Sequence, residues 1–409
     1  MRANWTETAL GVVATLGNGG AWGADEPGDG LVDAACLRGT DLADLINGEQ
    51  PAAPVRWLKE SELTKARCVE NMILIETSGS KCGRSVLLTK KMLGVFERPV
   101  VFSNFCRTLR IDLEKIMNKY AELWFSHAYA TGLIPSYRAT SAMPNLDIKS
   151  LLRIEKMLIP PLSEQKRIVD IMVSVDAYIA ALQQQADDAG AARNAVLHEL
   201  LTAGGSDWAE TTLGEVASWH SGGTPKTGEP EFYENGTIPW VVIADMLETD
   251  IFNTASKITL AGLAEIGGKL APKNSVLISM YATVGRPGYA HMPVATNQAI
   301  AWSIPNVEII HSRFLLLVAQ YLEPMISSMA RGATQRNINR AMLREFSFLL
   351  PPLSEQQRIV EIVSAMDDVV SATEKAVSNA HGLRSGLLSS LLTGDHEIPE
   401  AYDRLLGAA

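Results

Sequence analysis

The stretch Pro160-Pro-Leu-Ser-Glu-Gln-Lys-Arg-Ile-Val-Asp-Ile171 recurs as Pro351-Pro-Leu-Ser-Glu-Gln-Gln-Arg-Ile-Val-Glu-Ile362, and ten of the twelve positions are identical. The offset of 191 residues still holds at Leu200-Leu-Thr-Ala against Leu391-Leu-Thr-Gly. A second pair of matching blocks opens the two halves of the chain at Trp5 and Trp208. Matched blocks in the same order indicate an internal repeat.

Each copy of the repeated block predicts the start of one long helix. The Pro-Pro pair ends the preceding segment, and we expect Ser163 and Ser354 to cap the helices ahead of Glu164 and Glu355. About 36 helical residues would span roughly 54 Å. The apolar or small residues at helical spacing predict a coiled-coil-like seam in which each helix buries its stripe against its twin. They are Ile168, Ile171, Val175, Tyr178, Leu182, Ala189 and Val196 in the first copy, and Ile359, Ile362, Met366, Val369, Ala376, Ala380, Leu383 and Leu387 in the second.

The segment before each helix has a mixed pattern. Strand-like runs occur at 72–76, 100–103, 238–243 and 275–281, separated by Gly-rich and Asn-Gly turns. The predicted fold class is α+β, with two globules alternating with two long helices that pair as an antiparallel coiled coil with pseudo-two-fold symmetry. The predicted domains are a first globule at 1–159, a helix at 160–205, a second globule at 206–350, a helix at 351–398 and a tail at 399–409.

The charge distribution separates the helices from the globules. The net charge is −10, of which −3 and −5 fall in residues 160–205 and 351–409, against +1 in 1–159 and −3 in 206–350. The near-neutral globules leave room for a local basic face, whereas the acidic helices favour protein contacts over DNA. No apolar stretch predicts a signal peptide or a membrane span, so we expect a cytoplasmic protein. We interpret Cys36, Cys68, Cys82 and Cys106 as buried thiols, because their spacing does not resemble a metal site.

The motifs of common enzyme classes do not occur in the sequence. The Gly79–Ser85 run lacks the spacing of a phosphate-binding loop, and the glycines at 17–23 lack the dinucleotide-binding spacing. Sequence patterns of serine hydrolases, zinc proteases, amino-methyltransferases and nucleases are also missing. The sequence gives no positive support for a catalytic site.

Taken with the repeat, the motifs resemble the specificity subunit of type I restriction–modification systems (the HsdS family). The signature is Leu350-Pro-Pro-Leu-Ser-Glu-Gln-Gln-Arg-Ile359 with Leu391-Leu-Thr-Gly394. The second globule adds Ser221-Gly-Gly-Thr-Pro, Ile238-Pro-Trp-Val, Asn297-Gln and Gly332-Ala-Thr-Gln-Arg-Asn-Ile. The first globule departs from this pattern, since it lacks Thr-Pro after Gly19-Gly20 and Gln after Asn104.

The resemblance implies a division of labour for phage defence. Each globule would be a target recognition domain that contacts one half of a bipartite site in double-stranded DNA, and the helices would set the unread spacer. Two modification subunits would dock on the helices, and restriction subunits would join them. This chain would bind no cofactor, because S-adenosylmethionine, ATP and Mg would lie on the partner subunits.

Base reading needs Arg, Lys, Asn and Gln, and phosphate contact also uses Ser and Thr. We expect the main surface in the segment Arg331–Arg340 of the second globule, although residues 332–335 also fit a turn and Asn337 a helix cap. The predicted DNA-contacting residues of the second globule are Arg331, Thr334, Gln335, Arg336, Asn337, Arg340, Thr224, Lys226, Tyr281, Arg286, Asn297 and Gln298. Those of the first are Ser80, Lys81, Arg84, Asn104, Arg107, Tyr137 and Arg138.

For the Pro-Pro-Leu-Ser-Glu-Gln block we favour a structural role at the joint between globule and helix, with Arg167 and Arg358 pairing with glutamates of the other helix. Three alternative functions stay open. The chain could be an orphan DNA-binding subunit that redirects another system's methyltransferase, a coiled-coil scaffold whose globules bind proteins, or an enzyme of an unrecognised type.

Overall fold

The computed structural model describes residues 4–140, 144–332, 337–399 and 402. The chain forms two compact units, one of residues 1–182 with 376–409 and one of residues 183–375. Both units combine helices with small sheets, which confirms the mixed fold class. The predicted domain boundaries stay a prediction, because each compact unit holds one globule together with half of each long helix.

In the described residues of the first unit, nine strands form three small sheets. The orders are β1-β9, β2-β8-β5-β6 and β4-β3-β7. The strands β3 and β7 pair in parallel, with Leu37 opposite Phe102. The strands are β1 Thr6–Ala9, β2 Ala14–Gly19, β3 Leu31–Leu37, β4 Val55–Lys59, β5 Ile73–Glu76, β6 Ser85–Leu87, β7 Val100–Phe102, β8 Cys106–Ile111 and β9 Lys156–Ile159.

The helices of the first globule are short. They are α1 Leu10–Val13, α2 Asp41–Asn47, α3 Glu60–Ala66, α4 Lys90–Leu93, α5 Asn118–Ala130 and α6 Ile148–Ile154, and the long helix α7 Leu162–Thr202 follows. One core joins α5 and α6 to the start of α7 and the end of the second long helix. A second core fills the space around β3 and β7 and contains Cys36, Cys68 and Cys106.

The second unit repeats the same kind of element order. Its sheets are β10-β19, β11-β18-β15-β16-β13 and β14-β12-β17, and β12 pairs with β17 in parallel. The strands are β10 Ala209–Thr212, β11 Ala217–Ser221, β12 Ile238–Val241, β13 Asp250–Ile251, β14 Ser256–Ile258, β15 Val276–Ser279, β16 Pro287–Ala290, β17 Ala295–Thr296, β18 Ile300–Pro305 and β19 Ser347–Leu350. The helices are α8 Leu213–Val216, α9 Pro230–Tyr233, α10 Leu260–Glu265, α11 Ser312–Gly332, α12 Arg340–Arg344 and α13 Leu353–Thr393.

The two long helices α7 and α13 each contain 41 residues and pack against each other within each unit. In the first unit Arg384 donates to Asp176, and in the second Arg193 donates to Asp367 over 2.8 Å. The two ion pairs are related by the 191-residue offset of the repeat.

The predicted phase of the helical stripes was wrong in part. Tyr178, Val369 and Leu383 are 61%, 55% and 75% exposed. The other predicted positions are buried or half-buried, and further buried positions of α7 recur every seven residues. In α7 these positions are Met172, Ile179, Ala186 and Arg193.

The glutamine of each repeated block fixes the joint between globule and helix. Gln165 and Gln356 are fully buried. The amide oxygen of Gln356 accepts from the N–H of His311 over 2.8 Å, and its amide nitrogen donates to the carbonyls of Ile309 and Pro351. Gln165 makes the same three bonds with Met117, Lys115 and Pro160. The block thus joins three chain segments at one point, as the structural interpretation predicted.

Two local predictions about the helix starts were wrong. The carbonyls of Pro161 and Pro352 accept the first helical hydrogen bonds, so both helices begin before the serines that we expected as caps. Arg358 lies 3.6 Å from Glu355 of its own helix rather than pairing across the helices. The reason is that a residue three positions along a helix is always within reach, whereas Arg358 is exposed.

All four cysteines are free and buried, which confirms their interpretation as buried thiols. Burial raises the pKa of Cys36 and of Cys106 to about 12, so both stay protonated at neutral pH. No helix in the described part of the chain is long and apolar enough to cross a membrane.

Candidate nucleic-acid interface

In the second unit a glycine pair holds one loop against the sheet. The N–H of Gly223 donates to the carbonyl of Thr296 over 3.0 Å, and Trp240 donates to the carbonyl of Gly223. A Cβ on Gly222 would lie 1.7 Å from the Thr296 carbonyl oxygen, so only glycine permits this approach. The loop therefore places Thr224 beside the residues that follow β17.

The structure brings several predicted residues of the second globule together. Thr224 donates to the side-chain oxygen of Gln298 over 2.6 Å, and both are exposed. Asn297 is half-buried, and its side chain accepts from the N–H of Ala299. Tyr281 is exposed at a turn where the next residue, Ala282, has a φ of 57°. The N–H of Ile338 donates to the carbonyl of Met280, which sets the exposed Asn337 next to this turn.

A basic group lies near the same loop. His220, at the end of β11, has its pKa lowered by burial and then by the nearby charges of Lys269 and Arg340. Lys269 and Arg340 are both exposed. Exposed cations of this kind are suited to phosphate contact. The cap of α12 is Asn339 rather than Asn337, since Asn339 accepts from the N–H of Met342.

Other predicted residues of the second globule lie elsewhere or outside the description. Lys226 pairs with Glu229 over 2.8 Å. Arg286 lines a cavity with Arg193, His198 and Glu323 beside α7, and its charge lowers the pKa of Glu323, which burial raises more strongly. Arg331 lies in the last turn of α11, and nothing is described of its side chain. Thr334, Gln335 and Arg336 lie outside the described residues.

In the first unit three predicted residues line one cavity. Ser80, Lys81 and Arg84 surround a cavity of about 350 Å³ together with Trp22, Arg38, Glu76 and Phe105. Arg84 is only 15% exposed, and its Nε and Nη2 donate to Glu76 Oε2 over 3.1 and 2.9 Å. Ser80 and Lys81 are exposed at the rim. The cavity opens where the loops after β2, β3, β5 and β7 meet.

Of the remaining predicted residues of the first unit, one is exposed and three make hydrogen bonds within the fold. Asn104 is exposed beside Phe105 at the cavity edge. Arg107 donates to the carbonyl of Gly17, and Arg138 donates to the carbonyl of Cys82 beside the Tyr129 ring. Tyr137 donates to Glu155, which raises the tyrosine pKa. These three side chains hold neighbouring segments together.

Sequence reasoning missed several residues of both surfaces. In the first unit these are Trp22, Arg38, Glu76 and Phe105, and in the second His220 and Lys269. Arg38 was detectable, because it directly follows the strand-like run 31–37 and precedes the buried Asp41. Among the described residues, no cluster of three or more His, Cys, Asp or Glu side chains is suited to hold a metal ion.

Comparison with known proteins identifies the family. A family model described as the type I restriction modification DNA specificity domain matches residues 59–188 and 205–380, which is more than half of the chain. The chain belongs to this family. The match covers most of both globules of this chain. It confirms the resemblance that the Pro-Pro-Leu-Ser-Glu-Gln blocks indicated.

Individual relatives agree with the family assignment. The chain is 28% identical over 230 residues to the EcoR124I/EcoR124II type I restriction enzyme specificity subunit of Escherichia coli, which covers 54% of this chain and 56% of that one. The chain thus spans little more than half the length of that relative. It is 25% identical over 354 residues to the MjaVIII specificity subunit of Methanocaldococcus jannaschii, which covers 80% and 79% of the two chains. A solved structure concerned with complex assembly and conformational transition of the type I R-M system has the same fold, with a TM-score of 0.66 at 17% identity and coverage of 97% and 99%.

Proposed function

We propose that this chain is the DNA-specificity subunit of a type I restriction–modification complex in the cytoplasm. Each globule reads one half of a bipartite site in double-stranded DNA, and the paired helices set the spacer between the halves. The observation that carries the proposal is the family match over both globules, joined to the two sets of polar loops in equivalent parts of the two units.

The chemistry of the loops supports DNA reading. Gln298, Asn337 and Tyr281 are side chains that hydrogen-bond to base edges or to sugar and phosphate, and Lys269 with Arg340 supplies positive charge beside them. In the first unit Arg38 and Lys81 supply this charge. The overall charge of −10 is no obstacle, because most of the excess negative charge belongs to the helical segments.

The helices support a role as spacer and docking element. Their equal length, the seven-residue repeat of buried positions and the two repeat-related ion pairs favour an antiparallel coiled coil with pseudo-two-fold symmetry. Their acidic, partly apolar outer surface fits two modification subunits. Restriction subunits would join this assembly. S-adenosylmethionine, ATP and Mg would be bound by those partners, and this chain would contribute no catalytic residue.

Methylation mapping tests the proposal. Cells that express this chain with its cognate modification subunits should methylate adenine in a bipartite motif, and the motif should vanish when the gene for this chain is deleted. Arg336→Ala should weaken recognition of one half only, by roughly the 1–3 kcal/mol of one base contact.

Other results would point to the alternatives. Methylation that depends on a methyltransferase from another system would identify an orphan subunit. Unchanged methylation despite stable assembly would contradict the specificity role and favour a protein-binding scaffold. Turnover of a substrate by the isolated chain would indicate an enzyme.

A further inference from the structure

The cavity of the first unit contains a carboxylate oxygen that accepts no hydrogen bond from the described residues. Glu76 is only 4% exposed, and its Oε2 accepts both hydrogen bonds from Arg84. Among the described residues nothing donates to Glu76 Oε1, although the carboxylate lines the cavity. Glu76 Oε1 is not fully buried, so it is open to the cavity and can accept a hydrogen bond from a ligand there.

The backbone around Glu76 leaves room for this carboxylate. A Cβ on Gly39 would lie 2.4 Å from Glu76 Oε1, and a Cβ on Gly79 would lie 2.8 Å from the same atom. Gly79 also has a φ of 120°, which disfavours any other residue. Two glycines that face one carboxylate oxygen therefore keep it open to the cavity.

Donors lie beside this acceptor. Arg38 is held by the buried Asp41, with Nε to Oδ2 at 3.0 Å and Nη2 to Oδ1 at 2.7 Å, and its Nη2 also reaches the carbonyl of Ala52. The Nη1 groups of Arg38 and Arg84 have no hydrogen-bond partner within the described ranges. The cavity thus offers fixed guanidinium donors next to a carboxylate acceptor.

Aromatic side chains form the walls. Phe105 is 39% exposed, and the ring of Trp22 is covered on one side by the Arg56 guanidinium at 4.2 Å. The volume of about 350 Å³ falls in the range of about 300–1,000 Å³ that is usual for small-ligand sites. Flat walls with donors and an acceptor at the base fit a planar heterocycle better than a phosphate, which needs no aromatic surface and is repelled by a carboxylate.

We propose that this cavity takes one nucleobase turned out of the DNA duplex, and that the base carries an amino group. A base stacked in the helix presents its edge inside a groove and cannot enter a concave pocket, so only an extruded base can reach Glu76. Its amino group donates to Glu76 Oε1, its ring nitrogen or oxygen accepts from Arg38 or Arg84, and Phe105 stacks on it. Thymine has no amino group and is excluded.

The site belongs to the first globule alone. In the second unit, the position equivalent to Glu76 is Ser279. The backbone of Glu76 exchanges two hydrogen bonds with Gly83-Arg84, and the backbone of Ser279 exchanges the same two with Gly285-Arg286. The Ser279 hydroxyl donates to the carbonyl of Thr283, so no carboxylate is present there. The two half-sites would therefore be read in physically different ways. This inference rests on the proposed function.

Fluorescent base analogues test the proposal in the complex of this chain with its modification subunits. After methylation mapping has given the motif, 2-aminopurine or pyrrolocytosine is placed at one position of the duplex at a time. We expect a several-fold rise in fluorescence on binding at one position other than the methylated adenines. Phe105→Ala should abolish the rise, Glu76→Gln should reduce it at least three-fold, and Glu70→Gln, an exposed acid of the same globule, should leave it unchanged.

The outcomes separate this inference from the proposed function. A methylated bipartite motif with no brightening outside the methylated adenines would overturn the inference alone. Brightening that persists in both Phe105→Ala and Glu76→Gln would also overturn it, as would permanganate reactivity of an extruded thymine in that half-site. Absence of any motif would overturn both. The Phe105→Ala and Glu76→Gln variants are folded if cells that express them still methylate a bipartite motif whose sequence has changed only in the half read by the first globule.

Discussion

At the scale of single residues, the buried glutamine of each repeated block gives the sharpest prediction for stability. Gln356→Ala removes the three hydrogen bonds of a fully buried amide and leaves the N–H of His311 and the carbonyl of Ile309 without this partner. We expect a loss of about 3 kcal/mol in the free energy of unfolding. Urea denaturation checks this value. Gln357→Ala, one exposed position further, is the control and should change it by less than about 0.5 kcal/mol.

Two residues of the second globule should respond differently to mutation. Gln298→Ala removes a side chain that we propose to read a base, and it should relax recognition at one position of one half-site by about 1–3 kcal/mol. Arg340→Ala removes a charge near Lys269 and should weaken binding to all sequences and lower the salt slope by about 1. Binding titrations at several salt concentrations measure both effects. Equal loss of specificity in the two variants would contradict this division.

The residue scale also marks the limit of sequence reasoning about the site. Thr224, Gln298 and Lys81 were predicted because polar residues next to turns are visible in a sequence. Glu76 was missed, because its partner Arg84 and the glycines that expose Oε1 come from three separate loops. Arg107 and Arg138 were predicted as DNA contacts, yet each donates to a backbone carbonyl far along the chain. A charge alone does not tell whether a side chain faces solvent or the fold.

At the scale of elements, the paired helices depend on the two ion pairs within their seam. Arg193 is 8% exposed and bonded to Asp367 and Gln320. Asp367→Ala leaves this guanidinium buried with weaker partners, and we expect a loss of about 1–3 kcal/mol in unfolding free energy. Thermal unfolding measures this loss. The control is Asp368→Ala, which removes an exposed neighbouring acid and should lower the free energy of unfolding by less than about 0.5 kcal/mol. Equal effects would mean that the pair is not a structural contact.

Elements were predicted better than their orientation. The strand-like runs at 72–76, 100–103, 238–243 and 275–281 became β5, β7, β12 and β15, because local alternation and turn residues determine strands. The helix starts followed from Pro-Pro. The predicted face of α7 was wrong at Tyr178, which is exposed, and it omitted Ala186 and Arg193, which are buried. Which face is buried depends on the partner helix, and a single sequence does not contain that information.

At the scale of the whole molecule, the proposed spacer role of the helices predicts that the length of the DNA spacer depends on the length of the helices. If α7 and α13 set the spacer, deleting seven residues at equivalent places, 180–186 and 371–377, keeps the seven-residue seam in phase. It shortens each helix by about 10.5 Å. At about 3.4 Å per base pair this removes roughly three base pairs. Methylation mapping should then find both half-sites unchanged around a spacer about three base pairs shorter.

The control for that prediction is the deletion in one helix only. It leaves unequal arms, mismatches the repeat-related pairs Asp176–Arg384 and Arg193–Asp367, and should abolish methylation instead of shifting the spacer. A double deletion that methylates the original motif would contradict the spacer role while leaving base reading by the loops intact. The two functions can thus be separated, because the side chains that read bases and the residues that fix helix length lie in different parts of the sequence.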